Sequence, residues 1–207
     1  MNARLRVAVL VSGNGSNLQA LLDGAGDAAE FALVLSNKPE AYALERAARA
    51  GVPVAIVRYE DYPDRKAFSR AIMAEMQARG IDLICLAGFN RILDRMLIDA
   101  YPMRIMNTHP ALLPAFGGKG MYGRHVHEAV LASGARLSGA TVHFVTPETD
   151  AGPIILQAAV PVMDDDTPAS LAARVLQTEH RLYPAAVGLF AAGRLRVEGN
   201  RVRILGE

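Results

Sequence analysis

The residues best suited to chemistry in this sequence stand at Asn107-Thr108-His109-Pro110, with an aspartate, Asp150, in the segment Pro147-Glu148-Thr149-Asp150-Ala151-Gly152-Pro153. In an extended chain residues two apart face the same side, so Asn107 and His109 can converge on one reacting atom. An asparagine amide donates a hydrogen bond to a developing oxyanion, and a histidine gives or takes a proton near neutral pH. Each residue alone also has a structural reading. A histidine before proline is more often a satisfied framework residue, and an aspartate in such a segment often only stabilises a turn.

A second candidate is Ser12-Gly13-Asn14-Gly15-Ser16-Asn17, where a first apolar strand gives way to a first helix. Glycines let the backbone turn tightly, and helix-terminal amides with the Ser16 and Asn17 side chains suit a phosphate at the positive end of the helix dipole. A dinucleotide site fits poorly. Leu18 stands where G-x-G-x-x-G needs its third glycine, and the second strand ends in Ser36-Asn37-Lys38 without the ribose-binding acid. A single phosphate is the better reading, and the alternative is that Ser16 merely caps a helix.

Other chemistries find less support. His125 and His127 lie two apart near a helix start, do not share a helical face and have no cysteine cluster beside them, so both are read as surface or loop residues rather than metal ligands. Ser12 and Ser16 lack the G-x-S-x-G pattern, and Cys85 lies inside the apolar run Leu83-Ile84-Cys85-Leu86 as a buried, inert thiol. Direct attack by a substrate group is thus favoured over a covalent enzyme intermediate. Glu179 falls among Leu171, Val175, Leu182 and Ala186 on the apolar stripe of a helix, which calls either for a partner to its carboxylate or for an edge position reaching water.

The elements that position these residues follow from hydrophobic period. Strands are expected at Leu5–Val11, Phe31–Ser36, Pro53–Val57, Asp82–Ala87 and Arg104–Thr108, with helices near 17–23, 40–50, 64–79 and 92–100. This βαβ alternation means a parallel sheet, placing His109 at the edge where open α/β sheets bind ligands. Beyond Pro114 come a glycine-rich loop, a short helix Val126–Ala132, and strands Ala140–Val145 and Ile154–Val162 whose connection is too short for a crossover, hence antiparallel. Thr167-Pro168 caps a long helix towards Ala192, bent at Pro184, with Asp164–Asp166 as a solvated acidic run before it. A hairpin around Gly199-Asn200 ends the chain. The fold class is therefore α/β, doubly wound and mostly parallel, with an antiparallel extension in the C-terminal half.

Composition agrees. Within 207 residues, 51% are hydrophobic and 21% charged, and 22 Lys plus Arg against 21 Asp plus Glu leave a net charge of +1. That balance offers no bulk attraction to nucleic acid or an anionic membrane. With one cysteine no internal disulfide can form, and a reducing compartment suits the chain. The apolar run Val7–Val11 after Arg4 and Arg6 is too short for a secretory signal, and no stretch approaches a spanning helix, so the reading is cytoplasmic.

Together the segments VAVLVSGNGSNLQALL, LAGFNRIL, NTHPALLPAFGG, ATVHFVTPETDAGPIILQAAVPV and ARVLQTEHRLYPAAV resemble the phosphoribosylglycinamide formyltransferase family, folate-dependent enzymes of purine synthesis, over nearly the whole chain. The resemblance implies one formyltransferase domain over 1–207, phosphate-binding in its N-terminal half and folate-binding in its C-terminal half. It implies Asn107, His109 and Asp150 as the catalytic set. It also implies Gly15, Ser16 and Asn17 on the phosphate of glycinamide ribonucleotide, and Glu179 on its ribose. The formyl donor, 10-formyltetrahydrofolate, would lie against Asn90, Arg91, Ile92 and Leu93, against Asn107, and against Thr146, Pro147, Glu148, Thr149 and Asp150, with Arg65 near its glutamate end. No metal is called for, and the implied partners are these two small molecules, not nucleic acid or membrane, in a monomer or homodimer. Three features depart from the family pattern: Asn90 where methionine is usual, Leu176 for a polar residue that in some members reaches the phosphate, and a longer loop, GKGMYGRH, after Phe116. Related transferases and deformylases that share the formyl-transfer motif carry an additional domain for which this chain has no room. A non-catalytic nucleotide-binding module is the alternative, and it would leave Asn107, His109 and Asp150 without a joint purpose.

Overall fold

The computed structural model describes residues 4–206 and divides into two compact units at Met106/Asn107. Residues 1–3 and 207, which the single-domain expectation includes, lie outside the described residues.

In the first unit, strands β1 (Leu5–Val11), β2 (Ala29–Ser36), β3 (Val54–Ile56) and β4 (Leu83–Leu86) run parallel in the order β3-β2-β1-β4. Helices α1 (Ser16–Gly24), α2 (Tyr42–Arg49), α3 (Arg65–Ala78) and α4 (Arg95–Ala100) connect or follow them. A parallel strand is covered on both faces and therefore reads as a continuous apolar run. Val7 through Val11 are all fully buried, and the helices contribute Leu18, Leu21, Ala43, Ala47, Phe68, Ile72 and Met76. Each large aliphatic removed from water here contributes roughly 1.5–3 kcal/mol. Aspartates set two helix starts: Asp64 accepts the Ala67 N–H, and Asp94 accepts the Met96 N–H. The second cap corrects the expected start near 92, because residues 92–94 lie ahead of the helix.

The second unit takes the last three residues of β5 (Ile105–His109), then α5 (Arg124–Ala132), β6 (Leu137–Phe144), β7 (Ile154–Pro161), α6 (Pro168–Ala191), β8 (Leu195–Glu198) and β9 (Arg201–Ile204). Its strand order is β5-β6-β7-β9-β8. β6 and β7 are antiparallel, as the short connection requires, and β8 and β9 form the terminal hairpin. The β6–β7 register slips between Val142 and His143, an irregularity of the kind that re-aims a side chain beside a site. Thr167 and Ser170 form a reciprocal cap at α6, which continues through Pro184. Leu171 and Val175 of α6 pack on Val130, Ala140 and Val160. Among the described residues no helix is long and apolar enough to cross a membrane.

Candidate active site

Three of the expected residues come together within the second unit, and a fourth joins them. His109 closes β5, only 4% exposed, and Asp150 lies in the β6–β7 connection with its side chain 11% exposed. One carboxylate oxygen, Oδ2, stands 3.6 Å from His109 Nδ1 and accepts the Gly118 N–H at 2.9 Å, while Oδ1 stands 3.8 Å from His143 Nε2. The connection is pinned by the Phe144 N–H donating to the Pro153 carbonyl. Gly152 is required there, because a Cβ would fall 1.9 Å from the Phe144 oxygen.

Hydrogen bonds fix the proton positions. His143 Nδ1 is 2.9 Å from the Phe144 carbonyl, which can only accept, so Nδ1 carries the hydrogen. Burial holds the His143 pKa below the ordinary histidine value, outweighing the Phe144 hydrogen bond and the Asp150 charge, with His109 adding to the depression. The neutral ring therefore presents a lone pair at Nε2, and the Asn107 amide donates to it at 3.3 Å. One amide hydrogen is used in this way and the second remains for another acceptor. By the same logic His109 Nε2 carries a hydrogen and donates to the Phe116 carbonyl at 2.8 Å. His143 was missed in the sequence because β6 reads as an ordinary buried strand; a histidine inside an apolar strand was the available signal.

Glu179 has the partner its apolar surroundings call for: Thr108 Oγ1 donates to its Oε1 at 2.9 Å, and the residue is 7% exposed. It lines a cleft of about 540 Å³ with Pro110, Arg124, His127 and Leu176. Here one expectation is corrected. His125 is exposed, but His127 is a helical residue only 4% exposed, because α5 turns Val126, His127 and Val130 inwards. The acidic run is also corrected in part. Asp164 pairs with Arg136 at the surface, whereas Asp166 folds back to accept from Arg174, the Met163 N–H and Ser170, and the Arg174 fork above all holds its carboxyl far below the usual range. Among the described residues no group of three or more His, Cys, Asp or Glu could hold a metal ion.

In the first unit, Gly13 through Asn17 line a pocket of about 160 Å³ with Ala87 and Gly88. The helix cap there is Gly15, at φ 77, not Ser16, and no side chain caps α1. The first helical bond is Gln19 N–H to the Gly15 carbonyl, which leaves the amides of 16–18 outside the ladder. Asn17 Oδ1 is buried without a hydrogen-bond partner, an acceptor suited to a donor rather than to an anion. Arg46, not singled out in the sequence, clamps the loop through Asn14 O and Oδ1, both at 2.9 Å. Asn90 closes a triangle in which its N–H donates to Ser12 Oγ, Ser12 donates to Asn37 Oδ1, and Asn37 donates to Asn90 Oδ1. Methionine offers only a weak thioether acceptor in place of that last bond, so the Asn90 side chain strengthens the tie between the ends of β2 and β4.

The remaining candidates lie in each unit separately. Arg91 lies over the Tyr59 ring at 4.3 Å, Ile92 is exposed, Leu93 is buried, and Arg65 meets Asp94 at 3.4 Å. Pro147, Glu148 and Thr149 are exposed, and Thr146 Oγ1 donates to the Glu148 carbonyl at 3.2 Å.

The chain is similar to known proteins over nearly its whole length. Phosphoribosylglycinamide formyltransferase of Escherichia coli is 39% identical over 206 residues, covering 98% of this chain and 95% of that protein. The human trifunctional purine biosynthetic protein adenosine-3 is 42% identical over 200 residues, which are 95% of this chain but 19% of that protein, so the chain spans about a fifth or less of the trifunctional relatives it matches. The crystal structure of glycinamide ribonucleotide transformylase 1 from Symbiobacterium toebii superposes with a TM-score of 0.94 at 48% identity, covering 100% of this chain and 96% of that one. Formyl transferase is the family matched over residues 5–187, from the first strand into the last helix, and the chain belongs to it.

Proposed function

We propose that the chain transfers the formyl group of 10-formyltetrahydrofolate to the amine of glycinamide ribonucleotide, giving N-formylglycinamide ribonucleotide and tetrahydrofolate in de novo purine synthesis. The observation that carries this reading is the convergence of His109 and His143 on the Asp150 carboxylate, with Asn107 hydrogen-bonded to His143. The names of the similar proteins support it. A binding module has no use for such a cluster.

The amine nitrogen bonds to the formyl carbon, the carbonyl pair moves onto oxygen, and the carbon–nitrogen bond to the folate then breaks while one amine proton passes to the folate nitrogen. Asn107 suits the oxyanion, because its second amide hydrogen is uncommitted by the His143 bond, and one such donor is worth about 2.7–4 kcal/mol in the transition state. His109 supplies the other donor once its Nε2 hydrogen leaves the Phe116 carbonyl. Asp150 stabilises positive charge on either histidine as the proton moves.

On the same reading the phosphate goes to Gly15-Ser16-Asn17 and the ribose to Glu179. The folate lies against Asn90 to Leu93 and Thr146 to Asp150, with Arg65 at its acidic tail, the whole acting as one formyltransferase domain. The open amides at the α1 start and the cleft lined by Glu179 support the first two assignments. The test is product folate measured with each substrate singly and with both. Release only with both is expected, and hydrolysis of the folate without the ribonucleotide would replace the reading with a deformylase.

A further inference from the structure

The cleft that Glu179 lines also holds a second buried polar side chain. His127 is 4% exposed and lines the cleft together with Glu179, Pro110 and Leu176. Its Nδ1 is buried and makes no hydrogen bond. A sealed nitrogen without a partner carries a lone pair more cheaply than a hydrogen, since orphaned buried N–H groups are the rarer and costlier case. The ring hydrogen then belongs on Nε2. Burial, with repulsion from His109, also depresses the His127 pKa and keeps the ring neutral. So His127 offers a single N–H donor in the cleft that Glu179 also lines. The rest of the wall is mainly small and apolar, with Ala169, Ala172, Ala173 and Leu176 from α6.

A donor and a carboxylate acceptor lining one largely apolar cleft match a group that both accepts and donates. We infer that His127 is a specificity-determining residue, its Nε2–H donating to a hydroxyl oxygen of the substrate's sugar while Glu179 accepts a sugar hydroxyl hydrogen. The inference rests on the proposed ribonucleotide substrate and adds a residue to its recognition. Leu176 fits this arrangement, because an apolar side chain there offers the sugar no competing hydrogen bond. Arg124, exposed at the start of α5, lines the same cleft.

The test is calorimetric titration of glycinamide ribonucleotide and its 2′- and 3′-deoxy analogues into the wild-type chain, His127→Ala and His127→Gln. Losing one neutral hydrogen bond corresponds to about a two- to twelvefold weakening. His127→Ala should lose that factor for the ribonucleotide and for one deoxy analogue, but not for the analogue lacking the hydroxyl that His127 meets. His127→Gln, which keeps an N–H donor, should recover part of the loss. KM for the ribonucleotide should rise by the same factor while kcat moves less. Equal weakening for all three ligands, or none for any, in variants with wild-type melting curves would overturn the inference. If His127→Ala melts early, the His127→Gln titration decides by the same comparison. Wild-type turnover with both substrates is measured alongside, so failure of the proposed function shows as absent turnover and failure of this inference as unselective binding.

Discussion

Asp150→Asn separates charge from shape at the centre of the cluster. The amide is nearly isosteric with the carboxylate, and its oxygen can still accept the Gly118 N–H that the Asp150 Oδ2 accepts at 2.9 Å, so the loop keeps its anchor. What disappears is a negative charge 3.6 Å from His109 Nδ1 and 3.8 Å from His143 Nε2. For a full positive charge at 3.6 Å the lost attraction is about 1.2 kcal/mol in water and about 4.6 kcal/mol at an effective dielectric constant of about 20. With the Asp150 side chain 11% exposed, the second figure is nearer the site. The range corresponds to a fall in rate of about sevenfold to roughly two-thousandfold, and the upper part is expected. Because the charge matters as the proton moves, the loss should fall on kcat with little change in ribonucleotide KM. Single-turnover rates at saturating substrates, with circular dichroism to confirm the fold, are the assay. A kcat within twofold of wild type in a folded variant would show that Asp150 supports no charge in the transition state.

Ser16→Ala should weaken glycinamide ribonucleotide binding about two- to twelvefold and leave its dephosphorylated form unaffected, read by titration of both; equal losses would remove Ser16 from the phosphate site. Gly15→Ala should destabilise the fold by about 2–5 kcal/mol in urea melts, because its Cβ would meet Ala43 Cβ at 2.6 Å and Cα at 2.8 Å at φ 77; a loss under about 0.5 kcal/mol would contradict this packing. Arg65→Ala should weaken the folate about twofold to fivefold through its acidic tail and spare the ribonucleotide, the modest size reflecting a half-exposed side chain; the reverse preference would reassign Arg65. His127 and His143 both have folded pKa values below 6.5, so the folded chain binds fewer protons than the unfolded one; their stability is complete above pH 6.5 and is lost as pH falls below it. Each can contribute a slope of up to about 1.4 kcal/mol per pH unit, and a urea midpoint constant from pH 7.5 to 5 would refute the burial argument.

Most of the scaffold is legible in the order of residues. Parallel strands such as Val7–Val11 declare themselves because burial on both faces demands an unbroken apolar run, and Thr167-Pro168 starts α6 through cap chemistry local to the chain. The alternation of Asn107 and His109 was likewise legible, since a strand's period of two is local geometry. Boundaries decided by a single side-chain contact were less so: α4 starts at Arg95 only because Asp94 turns back on the Met96 N–H. Packing between elements settled the rest. It brought His143 from β6 to Asp150 at a register slip, turned His127 inwards on a helix whose sequence reads as half-polar, and gave Glu179 the Thr108 hydroxyl as its partner. It also made Gly15 indispensable through Ala43, a residue of another helix. The Thr108–Glu179 and Gly15–Ala43 contacts join residues far apart in the chain, and no local propensity encodes them: whether a buried polar side chain is paired, charged or waiting for a ligand depends on what the fold places beside it.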